Sequence, residues 1–416
     1  MPTATTTQPP AGTPATTGSG LARRLVPLQL MAFVQAVAFW VPVEKLFMTE
    51  IGFDAATIGV MAAAYAALVP AAEIVSGVLA DRWSRRGVLA LAGIALLIAV
   101  LVGALSQNVI TYIAAALILG LYFALYSGTV EAIVYDTVLE ETGTSTAYER
   151  EIGRIRLVES IGLVLSALAG GWIAAATSTR LTYFLTLPPV VLSLVALAWF
   201  REPRLHETSE RSPLREHLRV TVRAIVHRGR LIPIAAASVT AAVILQAMYE
   251  FGPLWLIELS APAAYYGPFW AGIVGALGVG GLLAGRLHLE RRLSVATVAA
   301  VMGGCGAVLL TSRSLAAVTV AVVVLTFLVV VVGIHVSHLM HDAVSSTIRT
   351  GVASGISAVS WIVFLPFALG FGAMTKQTGV HTAGWLLAAL VVLAAAALLW
   401  VALSRRISPG TEPSLR

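Results

Sequence analysis

Residues 316–332 read AAVTVAVVVLTFLVVVV, and residues 90–105 read ALAGIALLIAVLVGAL. Neither run carries a charge, and neither alternates apolar with polar positions. A helix needs about 20 predominantly apolar residues to cross hydrocarbon. A membrane-spanning strand instead alternates over roughly ten-residue segments, so these runs predict helices in lipid and exclude a barrel. The rest of the chain agrees: 58% of residues are hydrophobic and 12% charged, against roughly 25% charged in an average soluble domain.

Working outward, apolar runs of similar length recur. They predict spans at residues 25–48, 57–80, 88–106, 110–135, 152–176, 181–200, 231–257, 266–285, 294–311, 314–340, 351–373 and 380–403. The cations test that count by the positive-inside rule. With a cytoplasmic N-terminus and twelve spans, 23 of the 27 lysines and arginines fall on the inside. Only Arg180, Arg313 and Lys376 lie outside, with Lys45 near the outer end of the first span. The basic excess is thus a topology signal and not a nucleic-acid footprint. Both termini are expected in the cytoplasm, in an inner membrane of bacterial type.

The uncharged Thr, Pro, Ala and Gly of residues 1–20 predict a disordered tail, so that targeting falls to the first span. The polar stretch 201–230 predicts a cytoplasmic linker between six-helix bundles at 21–200 and 231–405, and 406–416 forms a C-terminal tail. The single cysteine, Cys305, excludes a disulfide framework.

An internal repeat supports the division. Gly77-Val-Leu-Ala-Asp81-Arg82, after the second span, has a counterpart in Gly281-Leu-Leu-Ala-Gly285-Arg286 after the eighth, and arginine pairs follow both. Pro42 is likewise echoed by Pro253.

The run Gly77-Val-Leu-Ala-Asp81-Arg82-Trp-Ser84-Arg85-Arg86 resembles the G-x-x-x-D-R-x-G-R-R loop of the major facilitator superfamily, with Ser84 at the second glycine. Ser127-Gly-Thr-Val-Glu131-Ala-Ile-Val-Tyr135-Asp136 resembles a stretch of a bacterial branch of drug and metabolite exporters. The resemblance implies an all-α membrane protein of twelve helices in two pseudo-symmetric six-helix bundles, working by alternating access, with helices one, four, seven and ten around a central cavity. Two exporter features differ. Ala124 or a neighbour stands where proton-coupled drug antiporters carry an arginine, and of the helix-five G-P-x-x-G-G pattern only Gly170-Gly171 remains.

Gly77, Asp81, Arg82, Arg85 and Arg86 are the candidate gating loop. Intramembrane carboxylates are costly and so are candidates for proton coupling: Glu131 and Glu250 first, then Glu73, Glu44 and Asp136. No basic residue lies within one turn of Glu131 or Glu250, so protonation is the expected way for them to sit in the membrane. Glu159 is expected to pair with Arg156 three residues before it. Glu44 and Lys45 lie near the outer boundary, where snorkelling is cheap.

Gln35, Tyr122, Tyr126, Gln246, Tyr249, His335, His338 and Trp361 are the candidate cavity lining, with Trp255 as further aromatic surface. His335, His338 and Asp342 share an arc of the tenth span, suited to proton relay, substrate contact or structural hydrogen bonds. Two imidazoles and a carboxylate without a further strong ligand make a weak metal site. No G-x-x-x-x-G-K-[ST], H-E-x-x-H or G-x-S-x-G run is present.

The expectation is therefore a monomeric, cofactor-free secondary transporter exporting a small amphipathic compound against protons, and not an enzyme. A facilitator or importer is the alternative, and a non-transporting receptor a remote one.

Overall fold

The computed structural model describes residues 18–82, 84–126, 128–203, 231–284, 286, 289, 291–344 and 346–404. Those residues form helices joined by short turns, with no strand among them. In chain order the helices are α1 (Gly18–Gln35), α2 (Glu44–Glu50), α3 (Ala55–Arg82), α4 (Arg85–Leu105), α5 (Val109–Tyr126), α6 (Thr129–Thr142), α7 (Tyr148–Ala176) and α8 (Thr179–Trp199). The second half comprises α9 (Leu231–Glu258), α10 (Ala263–Leu283), α11 (Arg292–Thr311), α12 (Leu315–Ala343), α13 (Ser346–Thr378) and α14 (Val380–Ser404).

Two predicted spans are not continuous helices. The first stops at Gln35 and resumes through a 3-10 turn, Val41–Val43, into α2. Pro42 explains the interruption, since its ring has no N–H to donate and clashes with the carbonyl four residues earlier. The fourth breaks between α5 and α6, where Gly128 has φ 72°, a left-handed backbone that glycine adopts without strain. By length and composition, eleven segments of the described residues can cross a membrane; the broken first span is not among them.

Serines set several helix starts. The side chains of Ser84, Ser178 and Ser314 each accept a hydrogen bond from the backbone N–H three residues on, at 2.9, 3.2 and 3.4 Å. The outer surface of the molecule is apolar, with Leu282 and Leu293 about four-fifths exposed. Trp385 and Trp400 are both exposed on α14, and their 15-residue separation corresponds to about 22 Å along a helix. That places indoles near the two faces of a hydrocarbon slab.

The halves meet along two seams, α3 against α13 and α7 against α10. Glycines make both possible. A Cβ on Gly59 would lie 2.5 Å from the Ala368 carbonyl oxygen, and one on Gly171 would lie 2.7 Å from the Gly267 nitrogen. Close backbone approach of this kind is how helices pack without a hydrophobic driving force between them. Gly372 faces Gly59 in the first seam, and all four glycines sit toward the same end of the bundle, away from the arginine pair Arg85 and Arg86 that opens α4. Gly170 has a separate task. A Cβ there would lie 2.1 Å from the Phe39 carbonyl, so it admits the unwound part of the first span.

Candidate functional site

Breaking the first span between Gln35 and Val41 turns side chains of that segment toward a cavity of about 410 Å³ in the first half. Gln35, Trp40, Tyr122, Tyr126, Arg156 and Glu159 line it. Its charges are paired. Arg156 bonds Glu159 at 3.1 Å and Glu131 at 3.0 Å, and Tyr126 donates to Glu159. The Arg156–Glu159 spacing thus has the outcome expected of it.

The second half holds a larger cavity of about 600 Å³, lined by α9, α10, α12 and α13. Its wall is mostly aliphatic, with Gln246, Ser238, Ser337, Ser357 and Ser360 as polar groups, Trp361 and Phe364 as aromatics, and no charged side chain. A row of rings joins the two cavities. Tyr65 lies 6.3 Å from Phe123 of the first and 6.0 Å from Trp361 of the second, centroid to centroid.

A third cluster ties the halves together at the arginine-poor end. Lys45, 2% exposed, places its Nζ 2.8 Å from Glu250 and 3.0 Å from Glu44. Tyr112 donates to Glu44 at 3.1 Å and bonds Tyr183 at 2.7 Å, while Gln246 donates to Glu250 at 3.5 Å. Asp54 and Lys376 make a second bridge between the halves at 2.8 Å. Asp54 lies in the turn before α3; the Lys376 ammonium and then the Thr57 N–H hold its carboxyl down to about 2. The ion pairs described at the other end stay within the first half: Arg24 with Glu140 and Glu141, Arg85 with Asp136, and Glu151 with Arg150 and Arg154. The described cross-links therefore close one end only.

Several sequence expectations change. Glu250 has no basic residue within one turn of its own helix, yet Lys45 reaches it across the bundle, a contact between residues 205 apart that no within-helix spacing reveals, so protonation is not what lets it sit there. Lys45 does not snorkel. Glu131 is half-exposed beside Arg156 and so is not an isolated buried acid. Asp136 belongs with the arginine loop, because Arg85 donates both to it and to the Ala132 carbonyl. Arg86 donates to the Ala198 carbonyl at 2.8 Å. The side chains of Glu73, Gly77, Asp81 and Arg82 lie outside the described residues.

Of the expected cavity lining, Gln35, Tyr122 and Tyr126 border the first cavity, and Gln246 and Trp361 the second. Tyr249 does not; it stacks on Trp270 at 6.0 Å and 7°. Trp255 is fully buried and donates to the Leu309 carbonyl at 2.8 Å. His335 and His338 border neither cavity. Gly333, Ser337 and Met340 of α12 face the larger one, and at 100° per residue positions 335 and 338 point elsewhere. His338 is exposed and pairs with Asp342 at 3.2 Å. Sequence reading missed Trp40, Tyr112 and the cavity serines, which carry no charge or motif to mark them.

Two helical bundles joined at one end around cavities between their helices define a membrane transport fold. The model of the Major Facilitator Superfamily matches residues 25–364, and the chain belongs to that family. No curated protein sequence matches. Among solved structures, the nucleoside transporter NupG is similar at TM-score 0.73 and 13% identity, covering 91% of this chain and 98% of that one. An inward-facing, unoccupied bacterial homolog of the human lysosomal transporter Spinster aligns at 0.71 and 15%, covering 95% and 100%. A D-xylose-proton symporter aligns at 0.68 and 13%, covering 92% and 97%. At these identities the likeness speaks for the fold.

Proposed function

We infer that the chain is a monomeric secondary active transporter that exports a small amphipathic organic compound across the inner membrane in exchange for protons. The observation that carries the substrate class is the 600 Å³ cavity without a charged side chain. An inorganic ion or a dianion would find no counter-charge there, whereas an apolar body with a few hydrogen-bonding groups fits hydroxyls set in an aliphatic wall. The arginine-rich end is assigned to the cytoplasm with both termini, and the broken first rod counts as the twelfth span. The two described bridges between the halves then close the outer end.

Alternating access requires the Lys45–Glu250 bridge to part, since its two members belong to different halves. Protonation of Glu250 removes the attraction across the bridge and gives the proton a direct hold on the outer closure. Glu131, exposed and paired within its own half, has no comparable lever. A second reading, a facilitator or importer of a small metabolite, is favoured by one observation: Ala124, fully buried, stands near the position of the antiporter arginine.

Proteoliposomes with an entrapped pH dye, screened with a panel of amphipathic compounds, test both readings. The expected outcome is compound-driven proton flux that Glu250→Gln abolishes and Glu131→Gln leaves, with downhill exchange persisting in both. Full gradient-driven transport by Glu250→Gln would remove this residue from coupling. Exchange without proton movement in the unmodified protein would favour the facilitator.

A further inference from the structure

The arginine-rich end carries a groove of about 840 Å³ where the starts of α1 and α4 meet the ends of α6 and α8. Four guanidinium groups and three carboxylates border it. The carboxylates are engaged. Glu140 and Glu141 both take Arg24, while Glu202 accepts from the Ser84 hydroxyl and from the backbone N–H groups of Arg85 and Arg86. Arg86 gives one bond to the neutral Ala198 carbonyl, which leaves its charge in place. Arg23 and Arg201 are exposed, and neither bonds a carboxylate among the described residues. Setting the topology requires only that arginines lie on the inner side. It does not require Arg23 and Arg201, from opposite ends of the first half, to converge on one groove.

Two apolar stripes lead away from the groove. On α1, Arg23 and Pro27 border it and Leu30 follows at i+7 on the same face. On α8, which packs against α1, Trp199 borders it, with Val195 and Leu192 at i−4 and i−7. Leu30, Val195 and Leu192 are all exposed, and seven residues carry each helix about 10 Å from the groove toward the bilayer centre. Trp199, 65% exposed, stands between the charged and the apolar parts, the level at which indoles settle in a bilayer. Basic pockets between helices on the cytoplasmic side suit anionic headgroups, and guanidinium presents paired N–H donors to phosphate. We propose that this groove binds one anionic phospholipid, with its phosphodiester between Arg23 and Arg201 and an acyl chain along Leu30, Val195 and Leu192. A soluble phosphate would use the groove and leave both stripes bare. A zwitterionic lipid brings an ammonium that the two arginines repel. The binding is independent of what the protein carries.

The test is native mass spectrometry of the purified full chain released from nanodiscs of equal phosphatidylglycerol and phosphatidylethanolamine, reading the class and affinity of the first lipid retained. Phosphatidylglycerol should be retained in preference. Arg23→Gln or Arg201→Gln should weaken it about fivefold each, and the double variant about thirtyfold, the contribution of one and of two cations at a charged membrane surface. Arg23→Lys with Arg201→Lys keeps both charges and should retain most of the binding, which separates lost attraction from a damaged fold. Arg291→Gln with Arg292→Gln removes the same charge from exposed positions on the second half and should change retention by less than twofold. An equal loss there would make net charge the cause and overturn the proposal, as would equal retention of the two lipids by the unmodified chain. Glycerophosphoglycerol, the headgroup without chains, should fail to displace the lipid at millimolar concentration. Displacement would assign the groove to a soluble phosphodiester and overturn the lipid.

Discussion

Replacing Lys45 by methionine keeps the length and bulk of the side chain and deletes the ammonium that joins the halves. In the closed arrangement Glu44 and Glu250 then face each other with no cation between them, at side-chain exposures of only 16% and 18%. Removing one member of a buried ion pair costs about 3–5 kcal/mol. The low end applies here, because neither carboxylate is sealed from solvent. Opening the outer end separates the two acids, so most of that cost falls on the closed state alone. A shift of about 3 kcal/mol is roughly a hundredfold in the ratio of open to closed molecules. Ala368 reports it: the residue is fully buried, and its carbonyl faces Gly59 across the seam. With Cys305→Ala removing the native thiol, Ala368→Cys should react with an impermeant maleimide roughly a hundred times faster when Lys45→Met is added. Adding Glu44→Gln and Glu250→Gln should return the rate most of the way, because the repulsion has gone. Labelling unchanged within twofold in a folded Lys45→Met protein would refute the assignment of Lys45 to outer closure.

Gly59→Val should act in the same direction through bulk, since its Cβ would stand 2.5 Å from the Ala368 carbonyl; expected are faster labelling of the Ala368→Cys thiol and slower exchange in vesicles. The Asp54–Lys376 bridge is half-exposed, so Asp54→Asn should raise labelling only a few-fold, an exposed pair contributing about 0.2–1 kcal/mol. The Asp54 carboxyl is depressed to about 2 from an ordinary 3.8, so its contribution is present above pH 3.8 and is lost as pH falls through about 2. Labelling of the seam in Asp54→Asn and the unmodified chain should therefore respond identically to pH between 5 and 8. In the topology assay, single cysteines at the exposed positions Gln107 and Arg313 should label from outside in intact cells, and one at Arg291 should not; the reverse pattern would invert the orientation. Asp136→Asn should lower thermal stability by roughly 1.5–3 kcal/mol, the range for hydrogen bonds to charged groups, through loss of its bond to Arg85.

Apolar run length and arginine placement made the helices and the two-half division readable, because both follow from the solvent and are local in sequence. Gln35, Tyr122, Tyr126, Gln246 and Trp361 were readable as cavity residues for the related reason that polar or aromatic groups stand out in apolar helices. Lys45 was not, since the reading judged it by its nearness to a boundary and by neighbours one turn away. A signal was available. The chain has two lysines among 25 arginines, and each lysine makes an ion pair from one half to the other. The histidines of α12 misled for the opposite reason: their chemistry is conspicuous, but their helical phase turns them from the cavity, and phase at that precision depends on how α12 packs. The break in the first span could be anticipated from Pro42, whereas Trp40 gains its place only because Gly170 lets the unwound strand of chain lie against α7.

The glycine seams have a mechanical consequence. At the glycine contacts themselves backbone meets backbone, so there one half can roll on the other without dragging rotamers through barriers. Gly59 with Gly372, and Gly171 with Gly267, thus serve as a pair of bearings, and a methyl group added to any of them is a burr on the race.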